Sequence, residues 1–381
     1  MKKAVDMAHV PQLPGNIDSL RAPLTKTKKM RRKVIFVVEV VEVRVPASTA
    51  NLGPGFDAVG MALELFNVVR MGTTTTTGLE ITVLGDSRDL PLDWTNLVAR
   101  SAAALFEEVG LPVPGLRIHV HQRIPVSRGL GSSAAAIVAG LLAANALVGF
   151  PLTDDDLFQL ATEIEGHPDN VAAALFGGFV VSVADEHRRL RHLKLDVPSS
   201  LHVVVAIPDF HVPTELARRV LPGSVTLADA VHNISRTALL VASIASGRLD
   251  FLGDAMADRL HQPYRASLVP GLADVLAAAR QAGALGAALS GSGPSVVAFA
   301  ATDPHRVARA MAATFAASGV TCRTVVTRAC RRGATVGRDP KASTKEATKE
   351  ATKEQVFEGA EADSLGKVGS LNGTRASTFR G

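Results

Sequence analysis

The stretch PVSRGLGSSAAAIVAG, Pro125 to Gly140, sets two glycines and two serines directly before an alanine-rich run. Glycines ahead of a helix leave backbone N–H groups open, and the positive end of the helix dipole then favours an anion such as a phosphate. Gly129 and Gly131 supply positive-φ freedom and let phosphate oxygens reach the main chain with no Cβ in the way. Ser132 and Ser133 can cap that helix or ligate a magnesium ion. The ordinary P-loop needs a lysine that is absent here. Gly129, Gly131 and Ala134 also satisfy G-x-G-x-x-A, the dinucleotide fingerprint, with Asp154 at about the distance of its ribose-binding acid. That reading fails on what lies between: Ser132 to Phe150 reads as one helix, Thr153 to Glu165 as a second, and no strand intervenes to carry the acid. The glycines alone leave two alternatives, a phosphate cradle or an ordinary Ser-capped helix start with tight packing.

The elements that must hold this turn are mixed. KVIFVVEVVEVRVPAST (33–49) and LRIHVHQRIPV (116–126) have the β-branched, partly alternating character of strands, and TDDDLFQLATEIE opens on a Thr153 N-cap and runs on as a helix. After about residue 195 the pattern restarts. LHVVVAIP is strand-like, 226–248 and 270–283 are helical, GAALSGSGPSVVAFA turns into a strand, and HRVARAMAATFAASG is a helix. This is α+β or α/β in two halves, with the boundary in the polar stretch 186–199. A chain of 381 residues with 47% hydrophobic content has room for two such domains.

The net charge of +5 suggests nucleic acid only until it is located. Residues 1–33 hold nine Lys/Arg against two acids, a net +7, which leaves −2 for everything after them. One Trp and one Tyr provide no series of stacking platforms, so nucleic-acid binding is set aside. Cys322 and Cys330 lack C-x-x-C or paired-His spacing, which argues against a zinc site or disulfide framework and fits a reducing cytoplasm. The basic N-terminus has no apolar region and no cleavage site of a secretory signal. Residues 129–153 carry no charge, but serines, Asn145 and many Ala and Gly make them a buried helix rather than a membrane span. Residues 1–33 read as a disordered basic tail, with Met30 an alternative start. Residues 335–381, with the repeat STKEATKEATKEQ at 343–355, read as a low-complexity appendage.

PVSRGLGSSAAA resembles the phosphate loop of the GHMP kinases, the superfamily named for galactokinase, homoserine kinase, mevalonate kinase and phosphomevalonate kinase. There a glycine-serine loop at a helix N-terminus replaces the P-loop lysine. Five more stretches fall in the family's order: VPASTANLGPGFDAVGMAL (45–63), EGHPDNVAAALFGGF (165–179), VPTELAR (212–218), QPYR (262–265) and SGSGPS (290–295). Together they narrow the resemblance to the homoserine kinase family over roughly residues 42–330, and the Gly-Glu-His-like turn of galactokinase and mevalonate kinase is absent.

The resemblance implies a two-domain α+β GHMP kinase fold: an ATP-binding α/β domain at 34–190 and a ferredoxin-like α+β domain at 191–334, between tails at 1–33 and 335–381. It implies transfer of the γ-phosphate of ATP, with Mg²⁺, to the side-chain hydroxyl of L-homoserine, in threonine synthesis. The ATP loop is then Pro125, Val126, Ser127, Arg128, Gly129, Leu130, Gly131, Ser132, Ser133, Ala134 and Ala135, with Asn96 near the adenine. Ser133 and Glu165 match the metal-holding pair, Glu163 being the competing carboxylate. For the acceptor, Asp57 takes the ammonium, Asn51 reaches the hydroxyl, and Arg218 and Arg265 form a carboxylate clamp, since a guanidinium can fork where a lysine cannot. Thr214 stands one turn before Arg218, and Gly291 lies in a second glycine turn. Asn51, His167 and Asn170 fall at the reaction centre; no general base is assigned, and Asp169 is the alternative if one exists. A homodimer in the cytoplasm is the family's expectation. The rival readings are another small-alcohol kinase of the superfamily and a non-catalytic sensor of ATP and a metabolite.

Overall fold

The computed structural model describes Ala4–Val5, residues 40–85 and residues 90–339. In the first half, β1 (Val40–Ala50) and β2 (Val59–Thr74) form a long antiparallel pair that bulges between Pro46 and Ala47. The loop joining them holds Asn51, Leu52 and Asp57 at φ values of 68, 49 and 55°, a left-handed backbone that non-glycine residues adopt only when their surroundings fix it. β3 (Leu79–Gly85) pairs parallel with β4 (Gly115–Gln122), which pairs with one end of β2. The other end of β2 receives β5 (Phe179–Ala184), followed by β6 (Leu190–Leu195).

Helices α1 (Leu97–Glu108), α2 (Ser132–Leu147), α3 (Asp154–Glu165) and α4 (Pro168–Phe176) cover this sheet. α2 is buried around nearly its whole circumference, which is why its sequence carries neither charge nor a polar stripe. At 16 residues it is no membrane span, and among the described residues no helix is long and apolar enough to cross one. Thr153 caps α3 as expected, in a reciprocal capping box with Asp156.

The second half contains β7 (His202–Pro208), α5 (Thr214–Arg219), α6 (Leu227–Ser246), the short α7 (Leu252–Ala255) and α8 (Gln262–Arg265), α9 (Leu272–Gln281), β8 (Gly286–Leu289), β9 (Val296–Ala300), α10 (Pro304–Ala317) and β10 (Cys322–Arg328). Its sheet runs β8-β9-β7-β10, all antiparallel, which is the β-α-β-β-α-β arrangement of a ferredoxin-like domain.

Three boundaries differ from the sequence reading. Leu190–Leu195, which the cut between 190 and 191 gave largely to the second domain, is an edge strand of the first sheet, polar because only alternate residues face protein; the boundary therefore lies after Leu195, still inside the stretch 186–199. Thr335–Asp339 (β11), assigned to the C-terminal appendage, pairs antiparallel with Val40–Arg44 and closes the free edge of β1. Ala4–Val5, inside the stretch read as a tail, pairs with Val225–Thr226. The rest of the 1–33 reading, the strand expected over 33–39 and the 343–355 repeat lie outside the described residues.

Candidate active site

A cavity of about 370 Å³ opens where the loop before α2, the start of α1 and the α3–α4 junction face α5, α8 and the loop between β8 and β9. The loop before α2 is held in place from both sides. Ser48 N–H donates to Leu130 O at 3.1 Å, Ser290 Oγ to Gly129 O at 2.6 Å, and Ser295 N–H to Arg128 O at 3.3 Å. Ser127, Gly129 and Gly131 take φ of 55, 72 and 66°. A Cβ on Gly131 would lie 1.9 Å from Ser48 Oγ, and one on Gly129 would lie 2.2 Å from Ser290 O. Tight packing behind the turn is therefore real, and the same turn has its front on the cavity. Neither serine caps α2. Gly131 is the N-cap and makes no side-chain cap bond, so the first-turn N–H groups are not occupied by a capping side chain.

The serines have other partners. Ser132 Oγ accepts from Gln122 Nε2 at 3.1 Å, while Ser133 Oγ donates to Glu165 Oε1 at 2.5 Å. Glu165 ends α3, where Gly166 at φ 92° stops the helix, and its carboxylate is only 8% exposed. Burial raises its pKa, and Asp169 adds to this, against the pull of His167 and Ser133. Glu163 instead accepts from Gln159 on an exposed face and does not line the cavity. Pro168 opens α4, and His167 ahead of it places Nδ1 2.8 Å from Asp169 Oδ1 and Nε2 3.8 Å from Glu165 Oε1. Burial opposes a charge on His167, but Asp169, Glu165 and Asp57 outweigh it and raise its pKa. Asn170 Oδ1 accepts from Ser48 Oγ at 2.9 Å, which ties α4 to the residue packed behind Gly131.

The opposite end of the cavity is built by long-range pairs. Asn51 accepts from Asp57 N–H at 3.0 Å and donates to Gly291 O at 3.1 Å, fixing the strained loop against the second glycine turn. Asp57 receives both Arg218 Nη atoms at 2.9 Å in a forked ion pair. Arg265 is 2% exposed and has no carboxylate within ion-pair distance among the described residues. Its Nε donates to Ala217 O and its Nη1 to Gly291 O, both at 3.0 Å, and burial together with neighbouring Arg218 lowers its pKa to about 10. Thr214 at the start of α5 lies 3.5 Å from Ser292 Oγ.

Most sequence-assigned residues therefore meet in one cavity: Asn51, Asp57, Asn96, Val126–Ser133, Glu165, His167, Asn170, Thr214, Arg218 and Arg265 all line it. Pro125, Ala134 and Ala135 do not; all three are buried. Gly291 contributes its carbonyl to Asn51 and Arg265 and does not line the wall either. Asn96 lines the wall, but its amide is engaged, capping α1 through Val98 N–H and donating to Pro91 O. Sequence reasoning missed Leu90, Pro91, Val98, Val120 and Gln122 on the wall beside it, although an Asn N-cap before an apolar run was a legible signal for that corner. Ser48, packed behind the wall, and Ser292, on it, were missed as well, although both lie inside stretches quoted above.

Residues 96–178 match the model of the GHMP kinases N terminal domain, and residues 240–317 that of the GHMP kinases C terminal. A crystal structure of mevalonate kinase, 15% identical, shares the fold with a TM-score of 0.57 over 76% of this chain and 99% of that one. Fold and site together define a GHMP kinase. The homoserine kinase of Moorella thermoacetica is 49% identical over 294 residues, 77% of this chain and 99% of that relative. The homoserine kinase of Carboxydothermus hydrogenoformans is 48% identical over 296 residues, 77% and 96% of the two chains. The crystal structure of homoserine kinase from Cytophaga hutchinsonii, 34% identical, aligns with a TM-score of 0.72 over 78% of this chain and 98% of that one. The chain belongs to the homoserine kinase family.

Proposed function

We propose that this protein transfers the γ-phosphoryl group of ATP to the side-chain hydroxyl of L-homoserine, forming O-phospho-L-homoserine and ADP, a step of threonine biosynthesis. The observation that carries the reading is the pairing, in one cavity, of a phosphate-type turn with a set of charges matched to a zwitterion. Asp57 and Arg218 already neutralise each other, so an amino acid enters by exchange: its ammonium takes Asp57 and its carboxylate takes Arg218 and the unpaired Arg265. Each charge then keeps a partner, and the desolvation cost is shared by the ligand.

At the other end, the uncapped N-terminus of α2 and the Ser127–Ser133 backbone receive the phosphates, with Arg128 at the rim. Ser133 and Glu165 fit a hard cation: two oxygens 2.5 Å apart, one on a carboxylate whose proton affinity is raised by burial. Among the described residues no group of three His, Cys, Asp or Glu could hold a metal, so this pair would bind Mg²⁺ together with phosphate oxygens and water, and the ion would neutralise charge on the phosphates. Asn51, His167 and Asn170 line the space between the two ends, where they orient the acceptor hydroxyl in line with the phosphoryl group. Asp169 also lines the cavity, with Oδ1 held by His167 and by Asn170 N–H, and no general base is assigned. A homodimer and a cytoplasmic location complete the proposal.

The test is ADP release with ATP and Mg²⁺, offered homoserine, mevalonate, galactose or no acceptor. Homoserine-dependent turnover supports the reading. Turnover with another alcohol would retain the phosphate end and overturn the acceptor, and none with any of them would indicate a binding protein.

A further inference from the structure

His261 stands outside every motif assigned above, one residue before QPYR, and it is fully buried beside the acceptor end of the cavity. Its two ring nitrogens face partners of opposite kind. Nε2 lies 2.7 Å from Gly53 O and 3.5 Å from the buried Asp258 Oδ2, both acceptors, and Nδ1 lies 3.2 Å from Arg265 Nη1, which can only donate. The proton therefore sits on Nε2, and Nδ1 is an acceptor aimed at the guanidinium. Burial holds the imidazole pKa below its ordinary value, which keeps it neutral for that role.

A guanidinium has five N–H donors. In Arg265, Nε goes to Ala217 O, and the two Nη1 protons go to Gly291 O and His261 Nδ1. Both Nη2 protons are left without a partner among the described residues, in a side chain that lines the cavity. His261 is the only side chain among the three anchors. Phe56 completes the support: its ring centroid is 5.3 Å from that of His261, 5.2 Å from Arg265 Cζ and 5.6 Å from Arg218 Cζ. We infer that His261 is a positioning residue for the acceptor carboxylate, fixing the Arg265 fork so that Nη2 presents two unspent donors to it. The inference rests on the homoserine reading above.

Two substitutions separate this role from simple packing. In His261→Asn, Oδ1 occupies the Nδ1 position and still accepts from Arg265; in His261→Gln, the amide reaches Gly53 O and nothing accepts from Arg265. His261→Gln should raise the KM for homoserine roughly tenfold, the value of one hydrogen bond to a charged group, with kcat and the KM for ATP within about twofold. His261→Asn should restore most of that loss. With 3-aminopropan-1-ol, which lacks the carboxylate, His261→Gln should match the wild type. Equal losses in both variants, or a loss that persists without the carboxylate, would overturn the inference. A readout on the unaltered protein guards against a variant that does not fold. In ¹⁵N histidine spectra His261 should show a protonated Nε2 and an unprotonated Nδ1, and the reverse tautomer would overturn the inference. Failure of the wild type to phosphorylate homoserine would instead count against the function itself.

Discussion

Replacing Arg265 by alanine tests the acceptor end most directly. The fold holds this guanidinium 2% exposed with no carboxylate at ion-pair distance among the described residues, and burial plus the charge of Arg218 brings its pKa down to about 10. Both effects leave this cation in want of an anion, and removing one partner of such a desolvated charge pair costs about 2–5 kcal/mol. Arg265→Ala should therefore raise the KM for homoserine by on the order of a hundredfold, while the KM for ATP, set at the other end of the cavity, stays within about twofold. Arg265→Lys should recover less than about tenfold of this, because an ammonium cannot reach Ala217 O, Gly291 O and a carboxylate together. The assay is coupled ADP release at saturating ATP with homoserine varied, run in parallel with 3-aminopropan-1-ol. A homoserine KM that does not move, or an equal loss on both acceptors, would refute the argument, since it would show that Arg265 does not meet the carboxylate.

Ser133→Ala should raise the Mg²⁺ concentration for half-maximal activity by roughly tenfold, whereas Ser132→Ala, which loses only a bond from Gln122 that already has Ile124 O as a second acceptor, should change it by less than about twofold; magnesium titrations of the two variants decide between the serines. Burial, reinforced by Arg117 and Arg70, lowers the pKa of His119, so below pH about 6.5 the unfolded chain takes up a proton that the folded one refuses, and stability is lost as pH falls through that window. Denaturant melts at pH 5 and 7.5 should accordingly show a smaller acid loss in His119→Gln than in the wild type. A chain ending at Ala334 should be less stable than one ending at Asp339 by on the order of 2 kcal/mol, because it forfeits the strand that closes the β1 edge; equal melting temperatures would remove that role from β11.

What the sequence determined by itself was whatever depends on neighbours along the chain. The start of α2 at Ser132, the Thr153 cap and the restart after residue 195 are local hydrogen-bonding and periodicity signals, and they read correctly, although neither serine caps α2. Six motifs in order carried the family, and the residues they pointed to, among them Glu165, Asp57, Arg218 and Arg265, line one cavity. The strands Leu190–Leu195 and Thr335–Asp339 were misread because an edge strand half in solvent has a polar composition, and its identity comes from the strand it pairs with.

Tertiary structure decided how the site works. Asp57 and Arg218 are 161 positions apart, and no spacing rule says that they pair with each other before they meet a ligand. Gly129 and Gly131, in the turn before α2, are required by Ser290 and Ser48 behind them, since a Cβ would collide with atoms brought there from distant segments. His261 looks in sequence like any histidine; only packing gives it Gly53 O on one side and Arg265 on the other, and so fixes which nitrogen carries the proton. Chain neighbours encode backbone conformation, whereas the partners of a buried charge are chosen by the close approach of segments that the sequence keeps far apart.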